Sequence, residues 1–322
     1  MKRLGKSTIN YYFLFSFLLG GHPLFSQFVF SPNHLSTSPN QGLEFNQFER
    51  AVVQKNKVRA IKINYAVKPD NQPIKDYNFY DQFFFNEEGQ LIQSMRVEER
   101  KIVGKDDEQG NGRKHIVSDS SITYYHYNKE GNLQIKRTRL ETGFTSWYYE
   151  YNDGGFVSKL TNVREQNVGN HITNFIPSAQ VVISLETFAY ERLPNYQFKV
   201  KCFNDESRIY KEIIKYFSDD NLLLRETHDF SIGWVHLENI YSYNTKKQLT
   251  EKVYSSNASG DMNEKYTIGY TENGQLSIIS KYKSNELVFQ DNFIFYDNGL
   301  LKSRLSRDEK NKKIDIYKIS YY

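Results

Sequence analysis

Apolar and polar positions alternate along most of this chain, and the alternation is interrupted at intervals by one short phrase. The phrase is an aromatic, usually Asn or Asp next, Gly or Asn four residues after the aromatic, and an aliphatic two further on. Its copies begin at Phe85 (FNEEGQL), Tyr127 (YNKEGNL), Tyr151 (YNDGGFV), Phe203 (FNDESRI), Phe217 (FSDDNLL), Tyr243 (YNTKKQL), Tyr270 (YTENGQL) and Phe295 (FYDNGLL). A period of two belongs to strands, whose successive side chains point to opposite faces. An internal repeat then fixes the architecture before any single residue is weighed.

Each copy predicts a β-hairpin. In YHYNKEGNL, Tyr125 and Tyr127 share one face of a strand, and Asn128 opens a type I turn because its side chain can bond the backbone ahead. Gly131 falls where a three-residue hairpin loop requires positive φ, and Leu133 begins the return strand. The equivalent turn positions are Gly89, Gly155, Asn221, Gly274 and Gly299, Asn being the side chain that best tolerates the left-handed region. Ser207 and Lys247 hold that place in the other two copies and predict turns that are distorted or of another type.

Aromatic pairs precede the turns at Phe83/Phe85, Tyr125/Tyr127, Tyr149/Tyr151, Tyr241/Tyr243 and Phe293/Phe295. Stacked in neighbouring hairpins they predict an aromatic ladder along one rim, which reads as core. Most consecutive copies lie 24 to 27 residues apart, room for two strands of about eight residues and a second turn on the opposite edge. Those second turns show as polar breaks at residues 141–143, 229–233, 255–264, 283–286 and 307–313. Phe203 and Phe217 are only fourteen residues apart, enough for one strand, so there the phrase marks both rims.

The expectation is therefore an all-β fold: an antiparallel meander of about sixteen to eighteen strands in one large curled or partly closed sheet. A single layer of that size must curl or close to bury one face. Glu150, Ser242 and His126 stand opposite the aromatic face, as in a sheet wet on one side. The strands at 79–85 and 292–296 are apolar on both faces and are expected in covered parts. Between residues 163 and 196 the phrase is lost, and this stretch reads either as an irregular insertion or as a degenerate repeat.

Composition supports a β fold, with 25 Tyr and 23 Phe, residue types that favour half-buried pleated surfaces. A net charge of +4 from 42 basic and 38 acidic residues gives no concentrated basic field, which excludes nucleic acid as the expected partner. The amino end has an export pattern: Lys2, Arg3 and Lys6 precede an apolar stretch at 11–21, too short for a bilayer span of about 20 apolar residues. Residues 1–26 read as a signal peptide and 27–50, interrupted by Pro32 and Pro39, as a linker or loosely docked arm. A short helix is expected around 48–58, and the β-hairpin repeat domain over 51–322. Cys202 is the single cysteine, so no intrachain disulfide forms, and beside Phe203 it reads as a small packed hydrophobe.

The chain carries no HExxH, GxSxG or GxxxxGK[ST] pattern, and its seven histidines show no zinc spacing. His228, Asp229, His236 and Glu238 form the densest titratable group, read as polar pairs at a hairpin end. The stretch from Asp107 opens like a calcium loop, but its twelfth position is Ser118 rather than the bidentate Glu, so no metal is expected. No catalytic residue and no cofactor is expected.

At YHYNKEGNL, YEYNDGGFV, GYTENGQL and IFYDNGLL the chain resembles YD-repeat and related MORN-variant proteins of bacterial secreted and cell-surface chains. The resemblance covers roughly residues 77–322 and implies an array of repeated β-hairpins. Large relatives of the Rhs type wrap into shells around a toxin, but no distinct toxin module follows the last phrase here. The expected function is a non-enzymatic β-repeat scaffold, structural or interacting, exported to the periplasm, the outer-membrane surface or the medium. Its partner is an unidentified protein or glycan, and membrane is met only during export. One alternative is a glycan-binding module that stacks sugar rings on exposed aromatics. Another is an outer-membrane β-barrel, against which strands polar on both faces count.

Overall fold

The computed structural model describes residues 50–103, 114–140, 143–169, 177–258 and 263–322, with backbone alone at 99–103, 114–119, 167, 177 and 178. The signal-peptide stretch, the arm up to residue 49 and the rejected calcium loop's opening lie outside the described residues. A short helix, α1 (Arg50–Lys55), comes first. Then follow β1 (Ala60–Pro69), β2 (Lys75–Phe85), β3 (Leu91–Val103), β4 (Lys114–Tyr127), β5 (Leu133–Leu140) and β6 (Gly143–Tyr151). The middle third is β7 (Val157–Asn167), β8 (Pro177–Leu193), β9 (Gln197–Phe203), β10 (Ile209–Phe217), β11 (Leu223–Phe230) and β12 (His236–Tyr243). The last third is β13 (Leu249–Ser256), β14 (Glu264–Tyr270), β15 (Leu276–Lys283), β16 (Glu286–Phe295), β17 (Leu301–Asp308) and β18 (Lys313–Tyr321).

Every strand pairs antiparallel with its neighbours in sequence, and β1 also pairs with β18, from Ile61 opposite Tyr321 to Pro69 opposite Lys313. The meander is thus a closed barrel of eighteen strands, not the curled or partly closed sheet expected from sequence. Closure satisfies the backbone groups that two free edge strands would otherwise present. Nothing in the local pattern of β1 marks it as the partner of a strand 250 residues away, which is why the sequence left the edges open.

The phrase turns all have one geometry. The amide of the fifth phrase residue donates to the carbonyl of the second, from Gly89 to Asn86 through to Gly299 to Tyr296, at 2.9–3.0 Å. Gly89, Gly131, Gly155, Gly274 and Gly299 have φ of +70° to +84°, and Asn221 +60°. Ser207 and Lys247 were expected to distort their turns, and they do not. Both take φ near +60° and make the same hydrogen bond. The closing hairpin bonds and the second phrase residue hold the loop strongly enough to impose the left-handed conformation on an unsuited side chain. That second residue accepts a hydrogen bond from the amide four residues on at Asn86, Asn128, Asn152, Asn204, Ser218, Asn244 and Thr271.

Seven copies of the phrase lie on one rim, at the β2–β3, β4–β5, β6–β7, β10–β11, β12–β13, β14–β15 and β16–β17 turns; the Phe203 copy makes the β9–β10 turn on the far rim. Residues 163–196, where an irregular insertion or a degenerate repeat was weighed, hold the end of β7 and all of β8, which pairs with β7 and β9. The phrase is absent because the β8–β9 turn reaches positive φ through Asn195 and Tyr196 instead.

Inward side chains of the phrase rim form one apolar cluster that includes Ile61, Phe83, Phe85, Leu91, Tyr125, Leu133, Tyr149, Val157, Leu249, Phe293 and Leu301. Helix α1 lies against this end, with Val53 buried in the cluster and Arg50 donating to the carbonyl of Glu88 at 2.8 Å. Much of the outward face is wet and charged, although on β6 and β7 the outward Phe144, Ser146, Val163 and Glu165 are buried. Ion pairs cross it at Lys199–Glu212, Arg225–Glu238, Lys265–Glu251 and Lys159–Glu150. Residues 292–296 were expected under cover on both faces, yet Ile294 and Tyr296 are exposed, because their outward positions lie on the outer wall of the barrel.

Candidate functional site

Three groupings in the barrel could carry a function: the phrase rim, a charged belt inside the wall, and one sector of the far rim. On the phrase rim the repeat aromatics turn inward. Phe85 is buried in the core cluster, and Tyr127, Tyr151, Phe217, Tyr243, Tyr270 and Phe295 pack half-buried against it, while Phe203 sits at the far rim. Their hydroxyls are engaged. Tyr151 donates to the carbonyl of Leu133 at 2.7 Å, Tyr243 to Leu223 at 2.8 Å and Tyr270 to Leu249 at 2.8 Å, each time the last residue of an earlier phrase. Tyr190 and Tyr321 repeat the contact on Val157 and Leu301. In two of the three copies where the sixth phrase residue is Gln it adds a second tie: Gln90 donates to Gly131 at 3.2 Å and Gln248 to Gly274 at 3.0 Å. These ties link successive repeats, and burial raises the tyrosine hydroxyls, that of Tyr270 up to about 12. The rings of these rows are thus buried or half-buried, which leaves little ring face on which a sugar could stack.

Toward the far rim the inward positions become polar. Cross-strand register places Arg96 directly opposite Asp81, and the guanidinium grips both carboxylate oxygens at 2.8 and 2.9 Å while Tyr65 donates to the same carboxylate. Arg304 donates to Asp291 at 2.9 Å, and Lys281 pairs with Glu264 at 2.7 Å. Glu226 meets His228 on its own strand and Lys215 at 3.7 Å on β10. Glu186 accepts from Tyr210 at 2.5 Å. Lys136, opposite Tyr125 and Trp147, and Lys252, opposite Tyr241 and Tyr266, are each lowered to about 8 by burial. The belt alternates in sign from strand to strand and knits the wall from within. Sequence reading missed it because these charges stand in alternating strand positions outside the phrase and look like ordinary wet positions. Only closure puts them inside.

The densest titratable group from sequence is split between the two faces. His228 is buried inward with Glu226, whereas Asp229 and His236 face each other outward at 2.6 Å and Glu238 pairs with Arg225. Cys202 is buried with Val200 and Ile213, and burial pushes its thiol up to about 11, far from a reactive thiolate. Among the described residues no three His, Cys, Asp or Glu side chains gather as metal ligands.

The far rim differs in one sector. Among the described residues nine large apolar side chains are more than half exposed, and six of them belong to two of three successive far-rim connections. Val168, Val181, Val182 and Ile183 flank the β7–β8 turn, at 54–62 % exposure, and Ile232 and Trp234, at 81 and 87 %, form the β11–β12 turn. Ile209, between them, is also exposed. The base of this sector is rigid: Glu165 of β7, fully buried, accepts from Arg137, Ser146, Tyr148 and Gln180, joining β5 to β8.

No protein-family model and no curated protein matches the chain. Solved structures similar to it include a porin-like protein from Bacteroides uniformis, 12% identical over 82% of this chain and 96% of that one, with a TM-score of 0.38. A porin-like protein from Bacteroides vulgatus is 8% identical over 80% and 97% of the two chains, with a TM-score of 0.31. A LolA superfamily protein from Nitrosomonas europaea is 8% identical over 85% and 90%, with a TM-score of 0.25. At these scores nothing is carried from those proteins to this chain.

Proposed function

We propose that this chain is a non-enzymatic scaffold of the bacterial cell envelope that works by presenting its far rim to another macromolecule. One observation carries the reading. The aromatic, the turn residues and the closing aliphatic of the repeat are used in packing, turn geometry or ties between repeats, while six of the nine most exposed apolar side chains among the described residues gather in one sector of the opposite rim. Contiguous exposed apolar surface of this kind marks a docking site. The export pattern at residues 1–26 supports a location beyond the inner membrane.

The outer-membrane barrel is disfavoured by the outward face. A lipid-facing wall needs an apolar band about 25 Å tall, and a charge at its midplane costs about 2–4 kcal/mol. Here Lys199, Glu212, Arg225, Glu238, Glu251 and Lys265 stand on the outer wall. Three measurements test the proposal. In Triton X-114 phase separation the chain is expected in the aqueous phase, and recovery in the detergent phase would return the membrane barrel. Cell fractionation should find it outside the cytosol. Retention in the cytosol, or hydrolysis of cell-wall or polysaccharide substrates abolished by one point substitution, overturns the scaffold.

A further inference from the structure

The barrel has a step in its far rim. Strand β8 pairs with β7 over residues 177–187, from Thr187 opposite Lys159 to Pro177 opposite Asn167. On its other side it pairs with β9 only from Thr187 to Leu193, because β9 ends at Phe203 and the chain turns back. Among the described residues, 177–186 therefore have a strand on one side alone. Free edges are normally blunted with charge, above all Lys, or with Pro and bulges. This one has Pro177 at its tip and a register shift near Ile183, yet residues 177–185 (PSAQVVISL) contain no charged residue, and Val181, Val182 and Ile183 stand exposed along it.

We infer that this edge is a self-association site, on which residues 177–186 of a second copy of the chain add antiparallel to form a two-fold dimer with β8 continuous to β8. The inference rests on the scaffold reading above and names its first partner. A second copy fits on three counts. Antiparallel pairing of one edge with its own copy is isologous, so one patch serves both partners. With the pairing centred on Val182, Glu186 of one copy falls opposite position 178 of the other, so the flanking carboxylates are not opposed. The uncharged run selects no partner of opposite charge, but it matches itself. Backbone hydrogen bonds along the edge then supply affinity, and the valine and isoleucine side chains supply register. Ile209, Ile232 and Trp234 lie next along the rim, where the second copy would cover apolar surface. Glu165, holding Gln180 and the strands behind it, keeps the edge in place before the partner arrives.

Sedimentation velocity of the purified chain across concentration tests this directly. A dimer is expected to form at micromolar protein, and Val182→Lys, a substitution at an exposed position, should weaken it at least tenfold. Ile294→Lys, at a similarly outward position on β16, should leave it unchanged. Amide hydrogen exchange gives an independent readout: protection over 177–186 should rise with protein concentration in the native chain and not in Val182→Lys. A monomer at several hundred micromolar overturns the inference, as does a dimer indifferent to Val182→Lys. Monomeric chain that floats with phosphatidylcholine and phosphatidylglycerol vesicles would reassign the edge to membrane. None of these outcomes bears on location or catalysis, so the scaffold reading stands or falls separately by fractionation and activity.

Discussion

Gly89 and Gly299 occupy the same position in two copies of the phrase, with φ of +70° and +84°, but only one of them has α1 beside it. A Cβ at residue 299 would meet nothing closer than Gln275 Nε2 at 3.8 Å, whereas at residue 89 it would lie 2.8 Å from the carbonyl oxygen of Arg50 and 3.3 Å from Gln54. Alanine at either site incurs the left-handed penalty of about 1–2 kcal/mol, less about 0.4–1 kcal/mol regained by stiffening the unfolded chain. Gly299→Ala should therefore cost about 0.5–1 kcal/mol. Gly89→Ala adds a clash with backbone that cannot rotate away, so α1 must shift or leave. Full undocking uncovers Val53, whose burial contributes about 1.5–3 kcal/mol, which caps the extra term. The two variants should differ by about 1–2 kcal/mol in urea unfolding, with Tm separated by about 2–4 °C per kcal/mol. Because strain and unfolded-state effects cancel, the difference reports the docking of α1 alone. Equal losses, or unchanged exchange of the Asn56 and Val58 amides that close the helix, would refute the contact.

Tyr270→Phe removes the hydroxyl that donates to Leu249 and leaves a carbonyl short of its partner, so a loss of about 1 kcal/mol is expected by urea denaturation. A neutral result would mean that the ties between repeats contribute nothing. Asp291→Ala removes the carboxylate that pairs with the buried guanidinium of Arg304 and should cost about 3–5 kcal/mol, while Asp291→Leu with Arg304→Met should recover most of it. If the double variant is as weak as the single one, the belt stabilises by more than mutual neutralisation. Burial holds Lys252 at about 8 against 10.5 in water, so between those values the unfolded chain carries a proton that the folded chain has shed. Stability should therefore rise from pH 8 to 10, by up to about 1.4 kcal/mol per pH unit for each such lysine, before unfolded tyrosines ionise and reverse the trend. Lys252→Met should flatten the rise, and an unchanged slope would exclude a buried charge there.

The sequence by itself determined the hairpins, because everything that makes them lies within seven residues. A residue at positive φ and an aromatic before the turn are local requirements written eight times over, and an Asn, Ser or Thr that bonds four residues ahead is written in seven of the eight. It also placed Phe203 and Phe217 on opposite rims, since fourteen residues span one strand and no more. Three things were decided only in the folded chain. Closure depends on β1 meeting β18, a pairing with no local code. The belt of Asp81, Arg96, Glu226, Glu264, Lys281, Asp291 and Arg304 depends on that closure, because the same alternating charges on an open sheet would face water. The bare edge of β8 depends on where β9 happens to stop, so a continuous strand of Val and Ile became a surface only when its neighbour ended ten residues short. Local sequence sets dihedral angles and alternation, whereas which face is inside and which edge is free are properties of the ring as a whole.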